Sequence, residues 1–171
     1  MAGAVSYPAC MSHSLPSHPF IGVVSDTHGY YDPQLDALFA GAAHIVHAGD
    51  VGAFEVLARL RALAPLTVVA GNTDLPVWGE DLPWEAVAEV AGLRIIVCHV
   101  GKSLMGRHDL VAESYGLVVS GHTHKAALER RGSTLFLNPG SAGRPRLGQP
   151  RTAALVTVAG GWPEARIVTL E

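Results

Sequence analysis

Carboxylate, carboxamide and imidazole side chains recur along this chain at the ends of short apolar runs. The first run, residues 20–24, is followed by Asp26 and His28, two potential metal ligands separated by one residue. The pattern recurs four more times, and the complete set is Asp26, His28, Asp50, Asn72, His99, His122 and His124. Mixed oxygen and nitrogen ligands suit Mn, Fe or Zn better than Ca or Mg. Because gathering these polar groups would be costly without a metal or a full set of hydrogen bonds, the sequence predicts a metal centre.

The elements before these side chains explain how they could meet. The first three apolar runs have the length and β-branched content of buried strands, and they are residues 20–24, 45–48 and 66–70. Leucine spacing predicts a helix capped by Asp32, with Pro33 as its first residue, and a second helix over residues 54–63. Alternating strands and helices are typical of a parallel sheet, where ligands bind at the carboxyl ends of the strands.

The second half of the chain predicts antiparallel or mixed pairing. Residues 85–90 and 94–98 form one expected hairpin, and residues 153–158 and 165–170 form a closing one. The remaining expected elements are strands at 117–120 and 134–137 and a short helix that begins at about Arg107.

Composition restricts the class of protein. The chain has 171 residues, which favours one domain, and its net charge of −3 argues against a dedicated nucleic-acid binder. Two cysteines are too few for a disulfide framework, and no apolar run reaches the ~18 residues of a membrane span. Residues 1–19 are rich in Ser, Pro, Ala and His without a basic residue, so we expect a disordered tail rather than a secretory signal. We therefore expect a single domain over residues 20–171 and a cytoplasmic location.

The order of the polar blocks resembles that of the calcineurin-like metallophosphoesterases, in particular their small bacterial and archaeal phosphodiesterase branch. The blocks are Ser25-Asp26-Thr27-His28-Gly29, His47-Ala48-Gly49-Asp50, Gly71-Asn72-Thr73-Asp74, Gly121-His122-Thr123-His124 and Asn138-Pro139-Gly140-Ser141. The resemblance covers residues 20–171. It implies an α/β fold, a four-layer α/β/β/α sandwich with two mixed sheets.

The resemblance also implies a ligand set and an activity. The residues of one metal would be Asp26, His28, Asp50 and His124, and those of a second metal Asp50, Asn72, His99 and His122. The two divalent ions would be Mn foremost, with Fe, Zn or Ni as alternatives. The implied activity is hydrolysis of small phosphodiesters by a metal-bridging hydroxide, with Asp50 and Asn72 as catalytic residues and Asn72 also contacting the phosphate.

Two positions depart from the family pattern. Many relatives have a histidine after Gly-Asn that protonates the leaving group, and this chain has Thr73. A loose transition state with an acidic leaving group needs little such help. Relatives of this branch tend to have His-Gly-His where this chain has His99-Val100-Gly101, which retains the ligand but leaves the substrate contacts of that loop open.

Several other residues have two interpretations. Arg146 could clamp a phosphate with its bidentate fork or be a solvated side chain, and Arg144 is the weaker candidate for the same role. His47 is interpreted as a hydrogen-bonded structural residue. Asp74 could orient Asn72 or cap a turn. His44 and His108 are expected at the surface.

The main alternative to an enzyme is a non-catalytic, protein-binding scaffold like the retromer subunit that resembles this fold. That subunit keeps the Gly-His-Thr-His and Asn-Pro-Gly-Ser blocks but has lost ligands, whereas all seven positions here carry competent side chains. A nuclease of the same superfamily is disfavoured by the net charge. Self-association is left open.

Overall fold

The computed structural model describes residues 19–74, 81–110, 112–144 and 148–171. Residues 1–18 and Arg146 lie outside these segments, so the predicted tail and the predicted phosphate clamp stay predictions. The strands of the described part are Phe20–Val24 (β1), His44–His47 (β2), Leu66–Val68 (β3), Glu85–Val90 (β4), Leu93–Cys98 (β5), Leu117–Val119 (β6), Ala127–Arg131 (β7), Thr134–Asn138 (β8), Arg151–Ala159 (β9) and Trp162–Leu170 (β10). Its helices are Gln34–Leu38 (α1), Phe54–Leu63 (α2) and Gly101–Met105 (α3).

The strands form two mixed sheets. The first has the order β10-β9-β1-β2-β3 and the second the order β4-β5-β6-β8-β7. In the first sheet β1, β2 and β3 are parallel and β9 runs antiparallel to β1. In the second, β5, β6 and β8 are parallel and the edge strands β4 and β7 are antiparallel to their neighbours.

The two sheets pack face to face with helices outside them. Alternate residues of β1, such as Ile21 and Val23, pack with Ile95 and Val119 of the second sheet, because successive side chains of a strand point to opposite faces. The other face of the first sheet covers the apolar sides of α1 and α2, and the other face of the second sheet covers Leu104 of α3. These four layers confirm the predicted α/β/β/α sandwich with two mixed sheets.

Glycine at position 22 permits close packing of helix on sheet. A Cβ atom there would lie 2.6 Å from the ring of Phe39, which follows α1. The predicted cap of α1 is also present, since the Gln34 N–H donates to Asp32 Oδ1 at 3.0 Å and Pro33 already has helical backbone angles.

One local prediction was wrong, and one strand was missed. The third helix spans Gly101–Met105 rather than beginning at about Arg107, because Leu104 is the buried anchor and the chain turns immediately after it. The strand Ala127–Arg131 was not predicted. All five of its residues are exposed at a sheet edge, so it carries no alternation of apolar and polar side chains. No helix in the described segments is long and apolar enough to cross a membrane.

Candidate metal centre

The candidate ligands lie in loops that follow five parallel strands and meet at one edge of the sandwich. Backbone hydrogen bonds tie these loops together: the Asp26 N–H donates to the Gly49 carbonyl at 3.0 Å, and the His28 N–H to the Asp50 carbonyl at 2.9 Å. The Gly121 N–H donates to the His99 carbonyl at 3.0 Å. Loops of the two sheets are joined as well, because the His122 N–H donates to Asp26 Oδ2 at 3.1 Å.

One group of four side chains could hold a metal ion. Asp26, His28, Asp50 and His124 each offer a ligand atom within 4.8 Å of the others. The Nε2 atoms of His28 and His124 are 3.3 Å apart, and His124 Nε2 is 3.1 Å from Asp26 Oδ1. His28 Nε2 is 3.8 Å from Asp50 Oδ2.

A second group adjoins the first and shares Asp50 with it. The Nε2 atom of His99 is 3.0 Å from Asn72 Oδ1 and 3.4 Å from Asp50 Oδ2. The Nδ1 atom of His122 is 2.9 Å from the same Asn72 oxygen. Asp50 Oδ2 thus lies between a histidine of each group, so this carboxylate is placed where it could contact two ions.

The donor set fits a cation. Asp26 is fully buried, yet its Oδ1 atom has no hydrogen-bond partner among the described residues, although His124 Nε2 lies near it. Burial raises the pKa of the Asp26 carboxyl, because a charged group loses hydration there. A divalent cation would supply the missing partner and favour the ionised carboxylate.

The pKa of Asp50 is lowered and that of His99 is raised, so both shifts favour the charged form of the side chain, unlike the shift of Asp26. Burial opposes ionisation of Asp50, but hydrogen bonds from His99 and from the Thr73 N–H lower the pKa of Asp50 well below its usual range. Burial also opposes protonation of His99, while its contacts with Asp50 and the Ala48 carbonyl raise the pKa of His99. The Nδ1 atom of His99 lies 2.8 Å from the Ala48 carbonyl oxygen, which directs Nε2 into the centre.

Backbone strain is concentrated at the candidate ligands. Seven described residues other than glycine have a positive φ, and five of them belong to the predicted set. These five are Asp26 (54°), His28 (47°), Asp50 (53°), His122 (71°) and His124 (58°). Left-handed backbone costs a non-glycine residue of order 1–3 kcal/mol and is typical of functional sites.

Asp74 joins two of the ligand loops. Its carboxylate accepts hydrogen bonds from the N–H groups of Val51, Gly52 and Gly71, at 3.0, 2.9 and 2.9 Å. Gly71 must be small, because a Cβ atom there would lie 2.1 Å from Asp50 Oδ1. Asp74 therefore fixes the Asn72 loop against the Asp50 loop. This role combines the two that the sequence left open, orienting Asn72 and capping a turn.

His47 has the structural role that was predicted. Its ring is fully buried, and Nε2 is 2.9 Å from the Thr27 hydroxyl, which itself donates to the Val51 carbonyl. Because that hydroxyl proton is committed, His47 donates to Thr27 through Nε2–H. Burial lowers the pKa of His47 to about 4, so the ring stays neutral near pH 7.

The Asn138-Pro139-Gly140-Ser141 block was recognised in the sequence without a physical role. The Ser141 hydroxyl donates to the Asp26 carbonyl at 2.8 Å, and the Asn138 amide donates to the Gly121 carbonyl at 2.8 Å. This block therefore braces both ends of the first ligand group. Side chains that do no chemistry but hold backbone carbonyls leave no signal in a sequence beyond their occurrence as a block.

A family model for the calcineurin-like phosphoesterase superfamily domain matches residues 20–161. The chain belongs to this superfamily. A probable metallophosphoesterase of Methanothermobacter thermautotrophicus is 32% identical over 146 residues, which cover 79% of this chain and 84% of the relative. A phosphodiesterase of Methanocaldococcus jannaschii is 27% identical over 142 residues, covering 70% of this chain and 82% of the relative.

Solved structures confirm the fold. A predicted phosphoesterase of Streptococcus pneumoniae superposes with a TM-score of 0.70 at 25% identity, over 88% of this chain and 89% of the neighbour. Vps29 of Entamoeba histolytica, solved with Zn²⁺, has a TM-score of 0.66 at 22% identity, over 88% of this chain and 98% of the neighbour. The superfamily binds divalent metals, and the first ligand group is a candidate site for one.

Proposed function

We propose that this metallophosphoesterase superfamily member is a dinuclear, metal-dependent phosphodiesterase that hydrolyses small phosphodiesters. The observation that carries the proposal is the position of Asp50, whose Oδ2 lies 3.8 Å from His28 Nε2 and 3.4 Å from His99 Nε2. A carboxylate shared by two ligand groups is the arrangement that a two-metal phosphoesterase requires.

One ion would be held by Asp26, His28, Asp50 and His124, and the other by Asp50, Asn72, His99 and His122. Bound divalent ions, Mn foremost and Fe, Zn or Ni as alternatives, would lower the pKa of a water molecule and neutralise charge on the phosphoryl oxygens. The protein's part is to keep Asp50 ionised and to hold the imidazoles in position. The low pKa of Asp50 and the bond from His99 Nδ1 to the Ala48 carbonyl support these roles.

In this proposal Asn72 contacts the substrate. Its side chain is exposed in the loop after β3, and its oxygen faces His99 and His122. With the oxygen directed at the second ligand group, the amide nitrogen can donate to a phosphate oxygen. Arg146, outside the described residues, remains a second predicted phosphate contact.

Thr73 favours diesters with acidic leaving groups. Its backbone N–H donates to Asp50 Oδ1 at 2.9 Å, so the residue helps to hold a ligand. Its hydroxyl cannot protonate a leaving group near pH 7 as a histidine could. We therefore expect a strong dependence of rate on the pKa of the leaving alcohol.

The alternative is the protein-binding scaffold, whose support is the fold shared with Vps29. All seven candidate positions here keep side chains able to bind a metal, which favours the enzyme. The cytoplasmic location and any self-association remain predictions from the sequence.

The test compares bis-p-nitrophenyl phosphate with p-nitrophenyl phosphate after metal removal and after re-addition of Mn, Ni, Zn or Mg. We expect metal-dependent cleavage of the diester well above that of the monoester. A folded, metal-loaded protein that cleaves neither compound would contradict the proposal and favour the scaffold.

A further inference from the structure

A small, partly open cleft lies beside the candidate ligand His124. Its walls include Ser141, Gly143, Arg144 and Arg151. Two arginines therefore border a space next to the metal centre, and no carboxylate belongs to the described lining. Because the whole chain has a net charge of −3, this positive lining is a local feature of the cleft.

The two arginines have different environments. Arg151 forms an ion pair with the buried Asp32 at 2.9 Å, and it also donates to the Tyr30 hydroxyl and to the carbonyl of Glu171. Its charge is neutralised within the protein. Arg151 thus holds Tyr30 in place rather than offering its charge to a ligand.

Arg144 has no such acidic partner within the described segments. Its guanidinium carbon lies 5.7 Å from the centre of the Tyr30 ring, which Arg151 contacts from the same distance. A face-on aromatic contact orients a guanidinium while leaving its N–H donors available. Arg144 is therefore a positioned cation with donors that a planar or tetrahedral anion can accept.

The loop that presents Arg144 is fixed to the metal centre. The Ala142 N–H donates to the Ser25 carbonyl at 3.0 Å, and the Gly143 N–H to the Asp26 carbonyl at 3.2 Å. A Cβ atom at Gly143 would lie 2.6 Å from that Asp26 oxygen, so the close approach requires glycine. Arg144 follows directly and is held at a defined place relative to Asp26.

From these contacts we infer that the cleft is a subsite for a second anionic group of the substrate, best a phosphate, with Arg144 as its specificity-determining residue. The inference rests on the proposed function, since it places the scissile phosphodiester at the metal centre and the second phosphate at Arg144. The preferred substrates are then phosphodiesters that carry an additional phosphate, rather than simple diesters.

A matched substrate pair tests this subsite. The p-nitrophenyl ester of thymidine 5′-phosphate and its 3′-phosphorylated form release the same leaving group and differ by one phosphate. Since hydrogen bonds to charged groups are strong, we expect the protein to favour the 3′-phosphorylated ester in kcat/KM by about tenfold or more. The Arg144→Ala variant should lose this preference.

Arg131→Ala is the matched control for loss of one positive charge. Arg131 is exposed at the far end of β7 and pairs with Glu129. This variant should keep the preference for the 3′-phosphorylated ester. If Arg131→Ala lost the preference to the same extent as Arg144→Ala, the preference would come from general charge attraction, and the subsite would be refuted.

Binding gives a readout that does not depend on turnover. Calorimetric titration with thymidine 3′,5′-bisphosphate and thymidine 5′-monophosphate should show about tenfold tighter binding of the bisphosphate, and none of this difference in Arg144→Ala. Equal affinities in the unaltered protein, or a difference that survives Arg144→Ala, would overturn the inference. If both chromogenic esters are cleaved equally well, the subsite fails and the phosphodiesterase stands. If neither is cleaved with any metal but Arg144-dependent bisphosphate binding persists, the anion site stands and the proposed activity fails.

Discussion

The metal centre and a cluster around His108 are built from the same side-chain types, histidine and carboxylate, but their atoms are arranged in opposite ways. At the metal centre, ring nitrogens of different histidines approach one another, with His28 Nε2 and His124 Nε2 3.3 Å apart. At His108, the two nitrogens of one ring point apart, Nε2 to Glu85 at 3.0 Å and Nδ1 to Glu113 at 3.1 Å. The first arrangement converges on a point and the second forms a bridge.

This difference separates a ligand site from a salt bridge. In the His108 cluster each carboxylate has its own donor, and Glu85 also pairs with Arg107 at 2.8 Å. At the metal centre, the buried Asp26 Oδ1 accepts no hydrogen bond from the described residues, and the backbone of several ligands is strained. Composition alone does not distinguish the two clusters, whereas convergence, an unpaired buried oxygen and strain do.

The largest expected contrast is in activity. Asp50→Ala should reduce metal-dependent diester hydrolysis by about a thousandfold or more, because metal-ion stabilisation is worth several kcal/mol and each ~1.4 kcal/mol is a factor of ten. The matched variant Glu85→Gln should stay within about twofold of the unaltered protein, since it removes a carboxylate from a bridge and not from a ligand site. Steady-state kinetics on both variants, with circular dichroism as the folding control, checks this. More than a few per cent of activity in Asp50→Ala would refute the two-metal assignment.

A pair of glycine substitutions sharpens the same contrast. Gly71→Ala places a Cβ atom 2.1 Å from Asp50 Oδ1 and 2.2 Å from the Asp50 nitrogen, so the ligand loop must shift. We expect about a hundredfold loss of kcat/KM, since a displacement of about 1 Å can cost that much, and a lower stability by about 1–3 kcal/mol.

Gly106→Ala is its control beside His108. No atom lies within 4 Å of a Cβ atom at that position, so stability should be unchanged or rise by up to about 1 kcal/mol. Equal losses in the two variants would contradict the claim that the Asp50 loop has a special geometric demand.

Added metal should stabilise the folded protein by binding at the metal centre and not at the His108 cluster. At about 100 times its Kd, a metal ion that binds the native state alone adds about 2.7 kcal/mol, a rise in Tm of about 5–10 °C for a chain of this size. Mn²⁺ or Zn²⁺ should produce this rise in the unaltered protein and in His108→Gln, and much less of it in Asp26→Asn. Thermal unfolding with and without metal measures it. A rise that disappears in His108→Gln would mean that the bridge is a metal site.

The smallest effect concerns pH. The hydrogen bond with Glu113, together with that to Glu85, raises the pKa of His108 above 6.5 in the folded protein. A raised folded-state pKa adds stability that is fully present below the unfolded value and is lost as the pH rises through the folded value. His108→Gln should therefore lower Tm at about pH 6 and have little effect at about pH 9. A loss that is equal at both pH values would show that the His108 charge is not involved.

Much of the fold could be predicted because its strands and helices have recognisable local sequence patterns. The apolar runs before Asp26, Asp50 and His99 are strands, and the family blocks predicted the four-layer sandwich that the sheets confirm. The prediction failed where local pattern is weak, in the exposed edge strand Ala127–Arg131 and in the five-residue helix Gly101–Met105. Short elements owe their conformation to neighbours, which a periodicity cannot represent.

The candidate site divides in the same way. The seven side chains could be found from the sequence because each follows a strand or belongs to a block, and the structure brings all seven to one edge. Their roles as ligands stay a prediction until a metal is measured. The bracing by Asp74 and Ser141 could not be found, since each acts on backbone groups that lie far away in sequence.

The sequence by itself determined which side chains end the strands, and therefore which chemistry the edge of the sandwich can offer. Only the tertiary structure decided that Asp50 lies between two ligand groups, that His108 bridges two glutamates, and that Arg144 borders a cleft without an acidic partner in the described lining. The physical reason is the sequence separation of the interacting residues. A strand and its following loop are fixed by neighbouring residues, whereas the distance between atoms on different loops depends on how two sheets pack.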